Sequence, residues 1–184
     1  MLVAASGSAV HADGFAELGA GATIPVADKV WTNTVTPSPV LAVRGGTSAG
    51  ELAAMLSGEW TPFRTTAAGL AYDRYRLTLG VGVHHHIKRC IVISARVGLG
   101  VDIAHAAYSI TLSHNIVAGS NGTDVGFAAE AAIGIWQELG GHSQLGLELA
   151  VPIGSHDNQV GSSQVSFAYT SVDIELLGTF RFGR

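Results

Sequence analysis

The stretch CIVISARVGLGVDI, Cys90 to Ile103, alternates without a break. Ile91, Ile93, Ala95, Val97, Leu99, Val101 and Ile103 share one parity, while Val92, Ser94, Arg96, Gly98, Gly100 and Asp102 share the other. A period of two is that of a strand with unlike faces. The glycines and β-branched residues argue against a helix. Both charges lie opposite the isoleucines, so the fold must give the two faces of one strand different surroundings.

The pattern recurs along the chain. Tyr75, Leu77, Leu79, Val81 and Val83 oppose Arg76, Thr78, Gly80 and Gly82, and Leu145, Leu147, Leu149 and Val151 oppose Gln144, Gly146 and Glu148. Val172, Ile174, Leu176, Phe180 and Phe182 oppose Asp173, Glu175, Thr179 and Arg181. Weaker versions fall in the first two strands and near residue 130. Eight strands are expected, over about 15–25, 38–46, 50–61, 73–84, 90–103, 125–137, 142–152 and 166–182. Short connections (GTSAG, HHIKR, ELGGH) alternate with long ones near 26–37, 62–72, 104–124 and 153–165. An antiparallel meander with tight turns at one end and exposed loops at the other has this spacing.

Periodicity alone does not say which face is inside. In a soluble barrel the apolar face points inward; in a membrane barrel it points outward to lipid. Here charged residues make up only 13% of the chain and lysines number two, Lys29 and Lys88, far from the coat of a soluble surface. The polar parity is rich in Gly, Ser and Thr, as a narrow interior requires. Its charges are Glu, Asp and Arg, which form bidentate pairs. No charge falls on the apolar parity in mid-strand, where lipid would penalise it by about 2–4 kcal/mol. These features predict an all-β, eight-stranded antiparallel up-and-down transmembrane β-barrel, apolar face outward.

An interior ion network is expected from Glu17, Arg44, Glu51, Glu59, Arg76, Arg96, Asp102, Glu130, Glu148, Asp173, Glu175 and Arg181, because unpaired buried charges are costly. Inward glycines such as Gly21 and Gly100 are expected to make room for the arginines. Phe15, Trp60, Tyr72, Tyr75, Phe127, Phe180 and Phe182 lie near strand ends and are expected to form two aromatic girdles. Trp136 sits on the polar parity of its strand.

On strand pattern, turn and loop alternation and the last strand, VDIELLGTFRFGR, the chain resembles the small eight-stranded bacterial outer-membrane barrels, similar to the OmpA transmembrane domain and OmpX-like family. The resemblance implies an integral outer-membrane location. It also implies contact with membrane lipid and lipopolysaccharide, and recognition of the C-terminal strand by the barrel-assembly machinery. Phe182 is followed by Gly183 and Arg184, so the aromatic signal is displaced from the end. Residues 1–12 are read as a remnant of a signal peptide, with Val10-His11-Ala12 as a small-residue cleavage pattern, and 13–184 as the barrel domain.

Three functions are open to such a chain: a structural or surface-interaction barrel with an external ligand at its long loops, a small or gated pore, and a lipid-modifying enzyme. Ser113 and His114 are the best enzymatic candidates, but adjacent loop residues rarely assemble a triad, so no catalytic residue is assigned. His84, His85 and His86 would alternate faces on a strand and are read as a polar turn rather than a metal site. No cofactor is expected. The net charge of −4 gives no reason to expect nucleic acid.

Overall fold

The computed structural model describes residues 12–27, 29–66, 70–112, 116–160 and 163–182, and their side chains outside 30–31, 108–121 and 156–167. The expected signal remnant, Ser113, His114 and the Gly183-Arg184 end fall almost wholly outside the described residues. Eight long strands form the wall: β1 (Asp13–Ala27), β3 (Ser38–Ala49), β4 (Leu52–Thr65), β5 (Leu70–Lys88), β6 (Ile91–Leu112), β7 (Ile116–Gly140), β8 (Ser143–Val160) and β9 (Ser163–Phe182). Helix α1 (Lys29–Thr34) and the two-residue strand β2 (Val35–Thr36) lie between β1 and β3. Each wall strand pairs antiparallel with its neighbours, and β9 pairs with β1 from Gly14↔Phe182 to Ala27↔Thr170, which closes the barrel. Closure leaves no strand edge in the bilayer, as a membrane wall requires.

The faces divide as the alternation requires. On β6, Val97, Leu99 and Val101 are exposed, while Arg96 and Asp102 are buried. The exposed large hydrophobics include Leu18, Leu79, Ile133 and Leu147 on other strands, so the apolar surface runs round the barrel. A soluble domain would not leave such a continuous apolar surface bare; a wall facing lipid must. Among the described residues no helix is long and apolar enough to cross a membrane.

Several boundaries differ from those the sequence suggests. The third expected strand begins at Leu52, because Gly50 has φ 63° and forms a two-residue turn with Glu51. The three histidines lie on β5, and the turn that follows is Arg89-Cys90. Much of the expected loop 104–124 is strand: β6 and β7 stay paired up to Leu112↔Ile116. Likewise β8 and β9 stay paired up to Val160↔Ser163. Pairing between β7 and β8 stops at Phe127↔Ser155, so both hairpins rise past the point where the wall is continuous.

Gly21 and Gly100 do not make room for arginine heads, although Gly98 leaves space for the Glu130 side chain. A Cβ at Gly21 would strike the Ile174 carbonyl, and one at Gly100 the Leu77 carbonyl. At Gly21 and Gly100 the role is close approach of neighbouring backbones in a tightly coiled wall. Gly146 does accommodate a side chain, but an aromatic one: it faces Trp136 across β7–β8, and a Cβ there would run into the indole.

Candidate functional site

The interior is stacked in layers along the barrel. Nearest the turns, Phe15, Ala53 and Met55 form one apolar cluster and Val92, Trp136 and Leu177 another. Trp136 Nε1 donates to Ser94 Oγ at 2.7 Å, which satisfies its polar edge. Toward the loops, Val35, Phe63, Tyr72, Ala104 and Tyr169 form a third cluster. Chain order fixes the charges between them. Going up β4, the inward residues are Met55, Ser57, Glu59, Thr61 and Phe63; along β9 they are Leu177, Glu175, Asp173, Ser171 and Tyr169.

Every wall strand contributes to the middle layer: Glu17 on β1, Arg44 on β3, Glu59 on β4, Arg74 and Arg76 on β5, Arg96 and Asp102 on β6, Glu130 on β7, Glu148 on β8, and Asp173 and Glu175 on β9, all buried. Arg44 is the hub on one side. Its Nη2 donates to Glu175 Oε2 at 2.7 Å and lies 2.9 Å from Glu148 Oε1 and 3.7 Å from Glu59 Oε1, while its Nη1 lies 3.7 Å from Glu17 Oε2. Arg96 grips Glu148, Nη2 to Oε1 at 2.8 Å, and pairs with Glu130 through Nη1. Arg76 Nη1 donates to Glu59 Oε2 at 2.7 Å and lies 3.7 Å from Asp173 Oδ2. Asp102 sits opposite Arg76 in the β5–β6 register. Neutral hydroxyls fill in: Thr78 donates to Glu130 at 2.7 Å and Thr179 to Glu17 at 3.2 Å. Such a layer is stable only as a set, since removing one partner leaves a buried charge unpaired.

Arg74 belongs to this layer and was not among the sequence candidates. It shares the inward parity of Arg76, and that parity was the available signal. Its guanidinium carbon lies 4.9 Å from the Phe63 ring centre and 5.1 Å from that of Tyr169, so it joins the ionic layer to the apolar cluster above.

Two sequence candidates for the interior lie elsewhere. Glu51 is exposed in the β3–β4 turn, with His85 Nδ1 2.8 Å from its Oε1. Arg181 is only partly buried at the turn-end mouth, where its Nη2 donates to Gln144 Oε1 at 3.4 Å. Beside it His86 Nε2 lies 3.1 Å from Glu138 Oε1. That contact, and secondarily a hydrogen bond from Gln144, holds the Glu138 carboxyl below the usual range despite some burial.

Two aromatics expected in the girdles also point inward. Phe15 is buried on the parity of Glu17, and Tyr72 on that of Arg74. Parity overrides position along the strand, because a single-residue step reverses the face. Trp60, Tyr75 and Phe127 are exposed toward the loop end, and Phe180 and Phe182 toward the turn end. Trp60 Nε1 donates to Asp73 Oδ1 at 3.2 Å, so the loop-side aromatics stand where the outer face turns polar.

No protein-family model matches the sequence, and no curated protein does. Solved structures do match in shape. The Neisserial surface protein NspA superposes with a TM-score of 0.62 at 10% identity, over 93% of this chain and 97% of that one. A major outer membrane protein of Thermus thermophilus gives 0.61 at 13%, covering 93% and 99%. The outer membrane protein OprG of Pseudomonas aeruginosa gives 0.51 at 13%, covering 95% and 98%. The closed eight-stranded wall, apolar outside and charged within, is the fold of a small integral barrel of the bacterial outer membrane.

Proposed function

We propose that this barrel is a non-conducting scaffold that holds its β6–β7 and β8–β9 hairpins outside the membrane for contact with lipopolysaccharide or an external ligand. The observation that carries this reading is the order of interior layers. An ionic layer fed by all eight wall strands lies between apolar clusters at both ends, so a hydrated ion would have to cross apolar packing twice. Eight strands enclose an interior that side chains can fill. The two hairpins continue where β7 and β8 no longer pair, and exposed segments on a rigid scaffold are where barrels commonly carry recognition. The aromatic end of β9, Phe180 and Phe182, is the segment we assign to the barrel-assembly machinery.

Planar-bilayer recording of the refolded protein tests the reading. A plugged scaffold gives no steady single-channel conductance. A large, stable conductance would overturn it in favour of a small pore.

A further inference from the structure

The turn-end mouth holds opposite charges that do not pair with each other. Asp13, Glu138, His142, Gln144, Arg181 and Phe182 line a cleft of about 70 Å³ there. Gln144 stands between the charges: its Oε1 accepts from Arg181 Nη2 at 3.4 Å, and its Nε2 donates to Glu138 Oε1 at 3.3 Å. Among the described residues the Arg181 guanidinium makes no other hydrogen bond and no ion pair. A guanidinium carries five N–H donors, so most of those on Arg181 have no protein partner.

The carboxylates are open as well. His86 and Gln144 both meet Glu138 at Oε1, which leaves Oε2 for another donor. Asp13 is partly buried, and its carboxylate makes no ion pair among the described residues. A Cβ at Gly140 or Gly141, in the β7–β8 connection, would meet nothing within 4 Å, so the rim stands open there. The cleft also reaches the membrane surface. Phe182 lines it and is exposed on the parity of Phe180, whose ring centre lies 6.3 Å from that of His142. The short turns of outer-membrane barrels face the periplasm, so this rim meets the inner leaflet, which is phospholipid.

We propose that this cleft binds the phosphoethanolamine headgroup of an inner-leaflet phospholipid. Arg181, with His142 as a further donor, engages the phosphate, while Asp13 and Glu138 engage the ammonium. A zwitterion matches charges that Gln144 keeps apart. A simple anion would face both carboxylates, and a simple cation would face the guanidinium. Each contact with the zwitterion is a charge-assisted hydrogen bond, the stronger kind. The cleft is far smaller than the roughly 300–1,000 Å³ of sites that enclose a whole small molecule, so it takes the headgroup and leaves the acyl chains on the apolar wall. The site lies outside the ionic layer and does not depend on whether the lumen conducts.

The test uses the full chain refolded in detergent micelles, with folding checked by heat-modifiable gel mobility. Phosphatidylethanolamine, phosphatidylglycerol with the same acyl chains, or inorganic phosphate is titrated in, and binding is read by native mass spectrometry. We expect one phosphatidylethanolamine per folded chain, held about tenfold more tightly than the glycerol lipid, which offers no cation to Asp13 and Glu138. Arg181→Gln should weaken the ethanolamine lipid about tenfold, the loss of a charge-assisted hydrogen bond. Should that variant fail to fold, Arg181→Lys keeps the charge without the planar fork and should weaken the lipid less. Asp13→Asn should narrow the gap between the two lipids. Glu51→Gln, which changes an exposed carboxylate in the β3–β4 turn, should alter neither. Equal affinity of the wild-type chain for the two lipids overturns the proposal, as does lipid binding that no Arg181 variant weakens. Inorganic phosphate bound as tightly as the lipid also overturns it, and leaves a soluble phosphate as the occupant.

Discussion

The two faces of β6 share one backbone and obey opposite rules. Outward, Leu99 is 63% exposed among other apolar side chains; inward, Arg96 is 7% exposed among glutamates. In a soluble protein the enclosed side would be the apolar one. The inversion shows that enclosure and apolarity are separate variables. Lipid sets the chemistry of the outer face, while the inner face must only satisfy its own charges in a narrow space. Each face should therefore fail in its own way.

The largest failure should come from within. Arg44 holds Glu148 and Glu175 and lies near Glu17 and Glu59. Arg44→Leu leaves these carboxylates short of a partner and should cost about 3–5 kcal/mol in urea unfolding from lipid vesicles. A loss no greater than that of a surface substitution would mean that Arg76 and Arg96 carry the layer without it. Adding Glu175→Leu should recover part of the loss, because the removed charge no longer lies buried and unpaired.

The outer face should fail by depth. Leu99 pairs across the wall with Leu79 and Ala129, in the middle of the apolar belt. Leu99→Arg should cost about 2–4 kcal/mol and Val125→Arg, nearer the loop rim on β7, about 0–1 kcal/mol. Equal costs at the two positions would break the assignment of the outer face to lipid. A clear gradient would place the membrane's midplane on the barrel.

The faces were legible in the sequence because parity is a local property: a charge among alternating isoleucines has one place to point. Phe15 and Tyr72 show the limit of reading by residue type. Both stand at strand ends where girdle aromatics are expected, yet both share the parity of buried charges and pack inside. Glu51 shows the opposite limit, since its polar parity ends at the turn that Gly50 makes. The paired parts of residues 104–124 escaped notice because alternation marks a strand only when one face meets lipid or core. Which glutamate each arginine selects was not legible at all. Arg44 on β3 reaches Glu175 on β9, past the intervening β1, and only the closed curvature of the wall brings them together.

The smallest effect lies at the mouth, where neither face's rule is strict. The Glu138 side chain is 30% exposed and that of His86 is 53% exposed, so their contact is partly screened. The Glu138 carboxyl is held below its ordinary value of 4.5, chiefly by His86. A carboxyl depressed in the folded state adds stability above its unfolded value, and that stability fades as pH falls through the lower native value. Comparing the wild-type chain with Glu138→Gln isolates this group, because the buried interior charges are common to both. The wild-type chain should unfold at slightly higher urea at pH 7, and the gap should shrink as the pH drops below 4.5. A gap of the same size at pH 7 and in acid would mean that the carboxylate's charge contributes nothing, and that the contact at the mouth only fixes the side chain's position. A gap that widens in acid would reverse the sign and require Glu138 to be destabilised as an anion, which a partner histidine should prevent.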